Sequence, residues 1–465
     1  MTSTRARPNI LWLMTDEQRS DSLGCYGSPW ARTPNVDAIA RDGVVFTQAV
    51  TPCPMCVPAR LSILTGKYPC ELGVWNNKFC NRDEDHLTYL FKDAGYRTAS
   101  FGKQHYGTSN QAFDREVTFD LSDEVGYLDY NARHEESRFD VIKYKGKMPW
   151  IMGGVFPAYP TETQESRVVE LGKKYLEELI QKRGDAADAP FFLRLSFNGP
   201  HTPVSVPQPF DTLIPEDSII LPERTLRPRG DIPDWARELR DTYSGSHTVP
   251  AELYRRTRRY YYGYVSYIDY TIGEMLGWMD QRGLLDNTIV LFLSDHGTHL
   301  GDYGFVQKQT FYEPVVNVPF ILKYPGRLPG GVRIAAPVET RMLLPTLLEL
   351  AGLDAPIRFA HNPLLEALGS NGNPGGCPSG MYAAYPVFSE MILNSVPSFS
   401  DTRVCMVRRG KWKLTAQVSP AGAWSNQFLH DMEADPYEER NLFGLDAFSS
   451  TAKDLSGVLA KHILG

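Results

Sequence analysis

The chain has 465 residues, 42% hydrophobic and 22% charged, with a formal net charge of -7. This is the balance of an ordinary globular protein and excludes a disordered one. The acidic excess leaves no basic footprint for nucleic acid, and no run approaches the roughly 18 apolar residues that span a membrane. At about 100–200 residues per structural unit, the length predicts two or three units.

Arg5 and Arg7 precede the apolar run Ile10-Leu11-Trp12-Leu13-Met14, which Asp16-Glu17 ends. That run is shorter than the roughly 7–15 residues of a secretory h-region, so 9–15 reads as a buried first strand and the default location is cytoplasmic. The seven cysteines are Cys25, Cys53, Cys56, Cys70, Cys80, Cys377 and Cys405. An odd number without a secretory signal argues against a disulfide framework.

Residues 33–41 predict a short helix starting near Pro34, and 60–64 a helix that Thr65-Gly66 stops. Residues 96–101 predict a strand. The stretch 107–160, rich in Gly, Pro and aromatics, reads as an irregular excursion over the ligand-binding face. Thr161-Glu162-Thr163-Gln164 has the spacing of a capping box. The helix after it carries Val168, Leu171, Tyr175 and Leu179 on one stripe. A buried strand is expected over 191–197, a Pro-rich loop over 203–235, and a long helix over 253–281 with Tyr260, Tyr264 and Tyr267 on a packing face. Residues 288–293 and 318–323 are further strands. This alternation predicts an α/β fold with a large, mostly parallel sheet sandwiched by helices. Past about 365 the texture changes to Gly/Pro-rich sequence and short strands at 404–407 and 412–414 joined at Arg409-Gly410. Two units are expected: a catalytic α/β unit over 1–365, and a small C-terminal α+β unit with a short antiparallel sheet over 366–465.

Ligands of open α/β sheets bind beyond the carboxyl ends of the strands. Asp16 follows the first strand; Lys103 and His105 follow 96–101; His201 follows 191–197; Asp295 and His296 follow 288–293. Four strand ends delivering such groups predict one metal-plus-anion site. Asp16 and Asp295 are hard oxygen ligands for a divalent cation, and His296 adds a nitrogen that also suits manganese or zinc. Lys103, His105, His201 and Lys308 would surround a tetrahedral oxyanion.

Cys56-Val57-Pro58-Ala59-Arg60 is followed by Leu64-Thr65-Gly66. This segment resembles the sulfatase family of the alkaline phosphatase superfamily, where Cys-x-Pro-x-Arg with Leu-Thr-Gly directs oxidation of the cysteine to formylglycine. Gly102-Lys103-Gln104-His105, Pro200-His201-Thr202-Pro203, Ser294-Asp295-His296-Gly297 and the stretch 431–442 resemble further family segments. The resemblance implies an alkaline-phosphatase-like fold. It also implies hydrolysis of sulfate esters through a formylglycine nucleophile formed from Cys56, by way of a covalent sulfo-enzyme intermediate. One divalent cation, calcium ahead of manganese or magnesium, would sit on Asp16, residue 56, Asp295 and His296. Arg60 would orient the nucleophile and Lys103 neutralise the ester oxygens. His201 with Lys308 would serve the leaving oxygen, and His105 would be the base. The implied partners are a formylglycine-generating enzyme and a small-molecule sulfate or phosphonate ester, with no nucleic acid and no membrane; a homo-oligomer is compatible with the sequence.

Asp16-Glu17 stands where many family members have two aspartates, and His296 where many have Asn. The Asp-His pair resembles the choline-sulfatase and phosphonate monoester hydrolase branches. So does Asn77, at the place of their substrate-contacting asparagine. Hydrolysis of phosphonate monoesters or phosphodiesters at the same site is therefore the second reading, and Glu17 as a ligand stays open. Cys53-Pro54-Met55-Cys56 also reads as a redox dithiol or half a zinc site, but Cys70 and Cys80 do not supply a second pair. A metal-binding protein with unmodified Cys56 is the remaining rival. His299 is expected to be structural, and His86, His134 and His247 solvated.

Overall fold

The computed structural model describes residues 6–77, 86–106, 112–119, 141–145, 149–156, 159–181, 189–226, 231–356, 362, 364, 366, 385–393, 398 and 402–464. In chain order the strands are β1 (Asn9–Thr15), β2 (Val44–Val50), β3 (Arg97–Gly102), β4 (Arg115–Thr118), β5 (Val141–Lys145), β6 (Pro149–Val155), β7 (Phe191–Ser196), β8 (Val204–Val206) and β9 (Thr288–Ser294). They continue with β10 (His299–Leu300), β11 (Val306–Gln307), β12 (Asn317–Lys323), β13 (Val332–Ile334), β14 (Val338–Glu339), β15 (Val387–Ile392), β16 (Arg403–Arg409), β17 (Trp412–Val418) and β18 (Trp424–Asp431).

The central strand shows why the main sheet is covered on both faces. Ile10, Trp12 and Met14 of β1 point to one side and Leu11 and Leu13 to the other, and all five are fully buried. The first set meets the helices Cys56–Thr65, Leu87–Asp93 and Leu343–Leu350; the second meets Pro34–Arg41, Gln164–Gln181 and Ala251–Asp280. Among the described residues this sheet has the order β13-β2-β12-β9-β1-β7-β3-β4, with β14 beside β2. Only β12 runs antiparallel to its neighbours, so the sheet is mostly parallel, as expected. A separate antiparallel sheet, β15-β16-β17-β18, packs on the C-terminal helix Ser449–Leu464. The expected boundary at 365/366 falls in the stretch 363–384, of which only Leu364 and Glu366 are described. No helix among the described residues is long and apolar enough to cross a membrane.

Three expectations need correction. The excursion 107–160 is not wholly irregular: β4 extends the main sheet, while β5 and β6 join β8 in a small sheet. The glycine pair Gly153-Gly154 hid β6; a Cβ at Gly153 would sit 3.0 Å from the Val204 carbonyl oxygen, a tight approach that glycine relieves. The expected capping box does not form at Thr161. Thr163 rather than Thr161 caps the helix, its Oγ1 accepting the Ser166 N–H at 3.2 Å. His86 is buried rather than solvated, its Nδ1 accepting the Thr88 N–H at 3.2 Å. His134 lies outside the described residues. Tyr260, Tyr264 and Tyr267 pack as expected, with the Tyr264 hydroxyl donating to Glu165 at 2.8 Å.

Candidate active site

The parallel pairing of β1 with β9 sets Thr15 beside Ser294. The next residues, Asp16 and Asp295, therefore emerge side by side, both fully buried. On the other flank β3 ends at Gly102, whose φ is +99° and where a Cβ would lie 1.9 Å from the Ser196 carbonyl oxygen. Only glycine fits that turn, and it delivers Lys103 to Asp16, with which it forms a buried ion pair.

Arg60 ties these strand ends together. Its Nε donates to Asp295 Oδ2 at 2.8 Å, and Nη2 lies 3.3 Å from Asp16 Oδ2. Its Nη1 donates to the Lys103 carbonyl at 3.0 Å and to Ser196 Oγ at 3.1 Å. One guanidinium thus reaches the ends of β1, β3, β7 and β9, using the fork geometry that lysine lacks.

Cys56 opens the helix Cys56–Thr65, which includes the expected helical stretch 60–64 and ends at Thr65-Gly66. The helix's positive end faces the thiol. Asn77 Oδ1 accepts the Val57 N–H at 3.1 Å, so the oxygen of this expected substrate contact is committed to the helix start. Cys56 Sγ lies 3.0 Å from Lys308 Nζ, 3.2 Å from His296 Nε2 and 3.8 Å from Asp16 Oδ1. Burial alone would raise the thiol. Lys308, Lys103 and His296, with a hydrogen bond from His105, instead hold it well below the usual thiol range. Cys53 behaves oppositely: burial and Glu390 push its thiol well up. Cys25, Cys53, Cys56, Cys70 and Cys405 are free, and Cys80 and Cys377 lie outside the described residues.

Burial penalises the Asp16 carboxylate, and the Cys56 thiolate adds to that. Lys103, His201 and Arg60 outweigh both and keep it far below the ordinary range. For His296, burial lowers the pKa most, but Asp295 and the Cys56 sulfur together outweigh it and raise it to about 9. His296 Nδ1–H donates to the Gly297 carbonyl at 2.9 Å. Its Nε2 is thereby aimed inward, 3.8 Å from Asp295 Oδ1 and 4.0 Å from Asp16 Oδ1. The donor atoms of Asp16, Cys56, Asp295 and His296 all lie within 4.8 Å of one another. Two carboxylates, an imidazole and a position-56 ligand, all buried, fit a single divalent cation.

Glu17 takes a different part. Its buried carboxylate lies 2.5 Å from Lys308 Nζ and 3.3 Å from His201 Nε2, and its N–H donates to Asp295 Oδ1 at 3.2 Å. Lys308 also donates to His201 Nε2 at 3.1 Å, while His201 Nδ1–H donates to the Thr202 carbonyl. Lys308, His201 and Glu17 thus form one unit beside the thiol. Glu17, His105, Gln307 and Gln309 have positive φ of 59°, 49°, 62° and 71°. Non-glycine residues in this region cost about 1–3 kcal/mol each and gather where a site over-determines them.

The turn bearing Lys308 is braced by Asp302, which sequence reading passed over. Asp302 accepts from Arg19 at 2.5 Å and from Arg224 at 2.9 Å, and Arg258 Nη2 lies 3.2 Å away. Burial raises its carboxyl, but these three arginines hold it well below the usual range. Asp302→Asn leaves three cations around a neutral group and is expected to cost about 3–5 kcal/mol at neutral pH. Because the folded pKa is depressed, that stability is complete above the unfolded value near 4. It is lost progressively as pH falls from there through the folded value. Urea unfolding should therefore show a constant gap between the two proteins from about pH 5 upward that narrows in acid. A gap that widened in acid would contradict the assignment. Arg19 could have been suspected from its place beside Asp16-Glu17; nothing in the sequence joins it to Asp302.

His105 and Lys103 from one strand end, His201 from another and Lys308 from the braced turn therefore ring a buried donor set at the carboxyl edge of a parallel sheet. That is the architecture of a hydrolase for anionic esters. The family model described as Sulfatase matches residues 8–353, and that described as N-sulphoglucosamine sulphohydrolase, C-terminal, matches 301–463. The chain belongs to the sulfatase family, and it is a sulfuric ester hydrolase. It is 29% identical to the ulvan-active sulfatase of Formosa agariphila over 98% of this chain and 81% of that protein. It is 28% identical to the choline-sulfatase of Rhizobium meliloti over 94% and 83%. The phosphonate monoester hydrolase of Agrobacterium radiobacter shares its fold with a TM-score of 0.75 at 22% identity, over 98% of this chain and 95% of that one.

Proposed function

We propose that the chain hydrolyses small-molecule sulfate esters with residue 56 as formylglycine. A divalent cation, calcium first, then manganese or magnesium, would be held by Asp16, residue 56, Asp295 and His296. The observation that carries this reading is the position of Cys56 Sγ. It is 3.2 Å from the His296 donor nitrogen and 3.0 Å from the Lys308 ammonium, where a nucleophile must meet both the cation and the anion. The unmodified cysteine needs a formylglycine-generating enzyme as partner.

When bound, the metal and the aldehyde hydrate supply an activated hydroxyl at position 56 and neutralise charge on the ester. Lys103 neutralises a non-bridging oxygen while held by Asp16. Lys308 and His201 face the leaving oxygen, and Lys308 carries the proton that the departing alkoxide takes up. His105 accepts a proton from the position-56 hydroxyl. Arg60 keeps the two carboxylates in place. Thr202 and Gln307, the chain neighbours of His201 and Lys308, line a small, mostly apolar pocket of about 20 Å³ with Met152, Val249, Leu300 and Val306.

Lys308→Ala should lower kcat/KM by about 10²–10⁴-fold for an alkyl sulfate, whose leaving group needs its proton. For 4-nitrophenyl sulfate, whose leaving group needs little help, the loss should be far smaller. Equal losses would remove Lys308 from the leaving-group role. Chelation should abolish turnover, and re-added metal should restore it; unchanged turnover after complete chelation would exclude the metal-held nucleophile.

The Asp295-His296 pair and Asn77 favour phosphonate monoester or phosphodiester hydrolysis as the second reading. A panel of aryl sulfate, choline sulfate, phosphonate monoester and phosphodiester at fixed metal separates the two. The proposal expects the highest kcat/KM on a sulfate, and a preference for the phosphorus esters would overturn it.

A further inference from the structure

Among the described residues a second set of metal-ligating side chains converges away from the catalytic cluster: Cys70, Glu390 and His462. Cys70 sits in the short helix Pro69–Leu72, Glu390 on β15, and His462 near the end of the C-terminal helix. One donor atom from each lies within 4.8 Å of the others. Glu390 is fully buried, and the His462 side chain is 8% exposed.

The three groups are held in place by their surroundings and already engage one another. Glu390 Oε1 accepts the Cys70 N–H at 2.8 Å, which fixes the carboxylate. The His462 ring stacks on Phe388 at 4.0 Å between centroids and meets the edge of Tyr68 at 4.4 Å, which fixes the imidazole. Glu390 Oε2 and His462 Nε2 then face each other 3.7 Å apart as an ion pair. That separation is too long for a hydrogen bond. It is close to the roughly 3.4 Å that oxygen and nitrogen ligands keep around a tetrahedral zinc ion. Without a cation, burial and the Glu390 carboxylate, to which the thiol hydrogen-bonds, push Cys70 up to about 12. Such a thiol is no nucleophile, and a cation reverses this logic by favouring the thiolate.

We propose that Cys70, Glu390 and His462 form a second metal site, for zinc or a cation of similar softness, that pins the C-terminal helix and β15 to the segment following the nucleophile helix. The sulfur and nitrogen donors select such an ion over calcium. Binding releases the Cys70 proton to water, and the half-buried Cys70 leaves the fourth position to solvent.

The test uses the full chain with Cys56→Ala, which removes the thiol of the catalytic cluster, and saturating Ca²⁺ to fill the remaining catalytic donor set. Co²⁺ is then titrated and its thiolate charge-transfer absorption recorded. One Co²⁺ per chain with such a band is expected, displaced by Zn²⁺. Cys70→Ser should abolish the band, and His462→Gln should weaken Co²⁺ binding about tenfold or more. Zn²⁺ should also raise the unfolding midpoint of the Cys56→Ala chain but not of the His462→Gln variant, which keeps the test decisive if Cys70→Ser misfolds. Absence of the band, or a band that survives Cys70→Ser, would overturn the site and leave a Glu390–His462 ion pair in its place. None of these readouts depends on turnover.

Discussion

Cys56→Ala should lower kcat/KM for an aryl sulfate by about 10⁵-fold or more while far-ultraviolet circular dichroism stays unchanged. The size follows from the geometry. Lys103, Lys308, His201, Arg60 and the donor set all converge on position 56, and without a nucleophile they have only bound water to activate. Stability should change little, because the thiol is held by cations that the neighbouring carboxylates still satisfy. Cys56→Ser separates two roles. A serine hydroxyl can accept the sulfuryl group but has no second hydroxyl to expel it. It should therefore release about one equivalent of alcohol and stop, with the mass of one SO₃ left on the peptide that contains residue 56. Sustained turnover by Cys56→Ser would show that the second hydroxyl is dispensable.

Arg60→Ala should destabilise the metal-free protein by about 3–5 kcal/mol. Arg60, Asp16 and Asp295 are all fully buried, so removing the cation leaves two carboxylates in a dry interior with only Lys103 and nearby histidines to answer them. A divalent cation between those carboxylates should recover much of the loss. Urea midpoints of the variant should thus rise with Ca²⁺ far more than those of the parent chain. Arg60→Lys should not substitute, since one ammonium cannot reach Asp16, Asp295, Ser196 and the Lys103 carbonyl together. A variant within about 1 kcal/mol of the parent, and indifferent to metal, would mean that Arg60 does not hold the site.

Much of this was legible because parallel sheets put their chemistry at strand ends. An apolar run such as Ile10 to Met14, followed by Asp16, announces both a central strand and the edge where a ligand binds. Lys103, His201, Asp295 and His296 were found the same way, and the motif around Cys56 carried the family. What stayed hidden depends on contacts between distant segments. Glu17 looked like a doubtful metal ligand; its partners Lys308 and His201 lie 291 and 184 residues away in the chain and follow no local pattern. Asp302 with its three arginines, and Arg60 spanning four strand ends, are likewise products of packing. Short strands such as β5 and β6 escaped because glycines and few residues blur a period of two.

The central claim concerns residue 56, and the most direct measurement is the mass of the tryptic peptide 42–60 from protein made in its natural host. Conversion predicts a peptide that has lost sulfur and two hydrogens from Cys56 and gained one oxygen, while Cys53 still takes up a thiol label. A peptide in which both Cys53 and Cys56 react as intact thiols, from enzyme that turns over sulfate esters, would contradict the account.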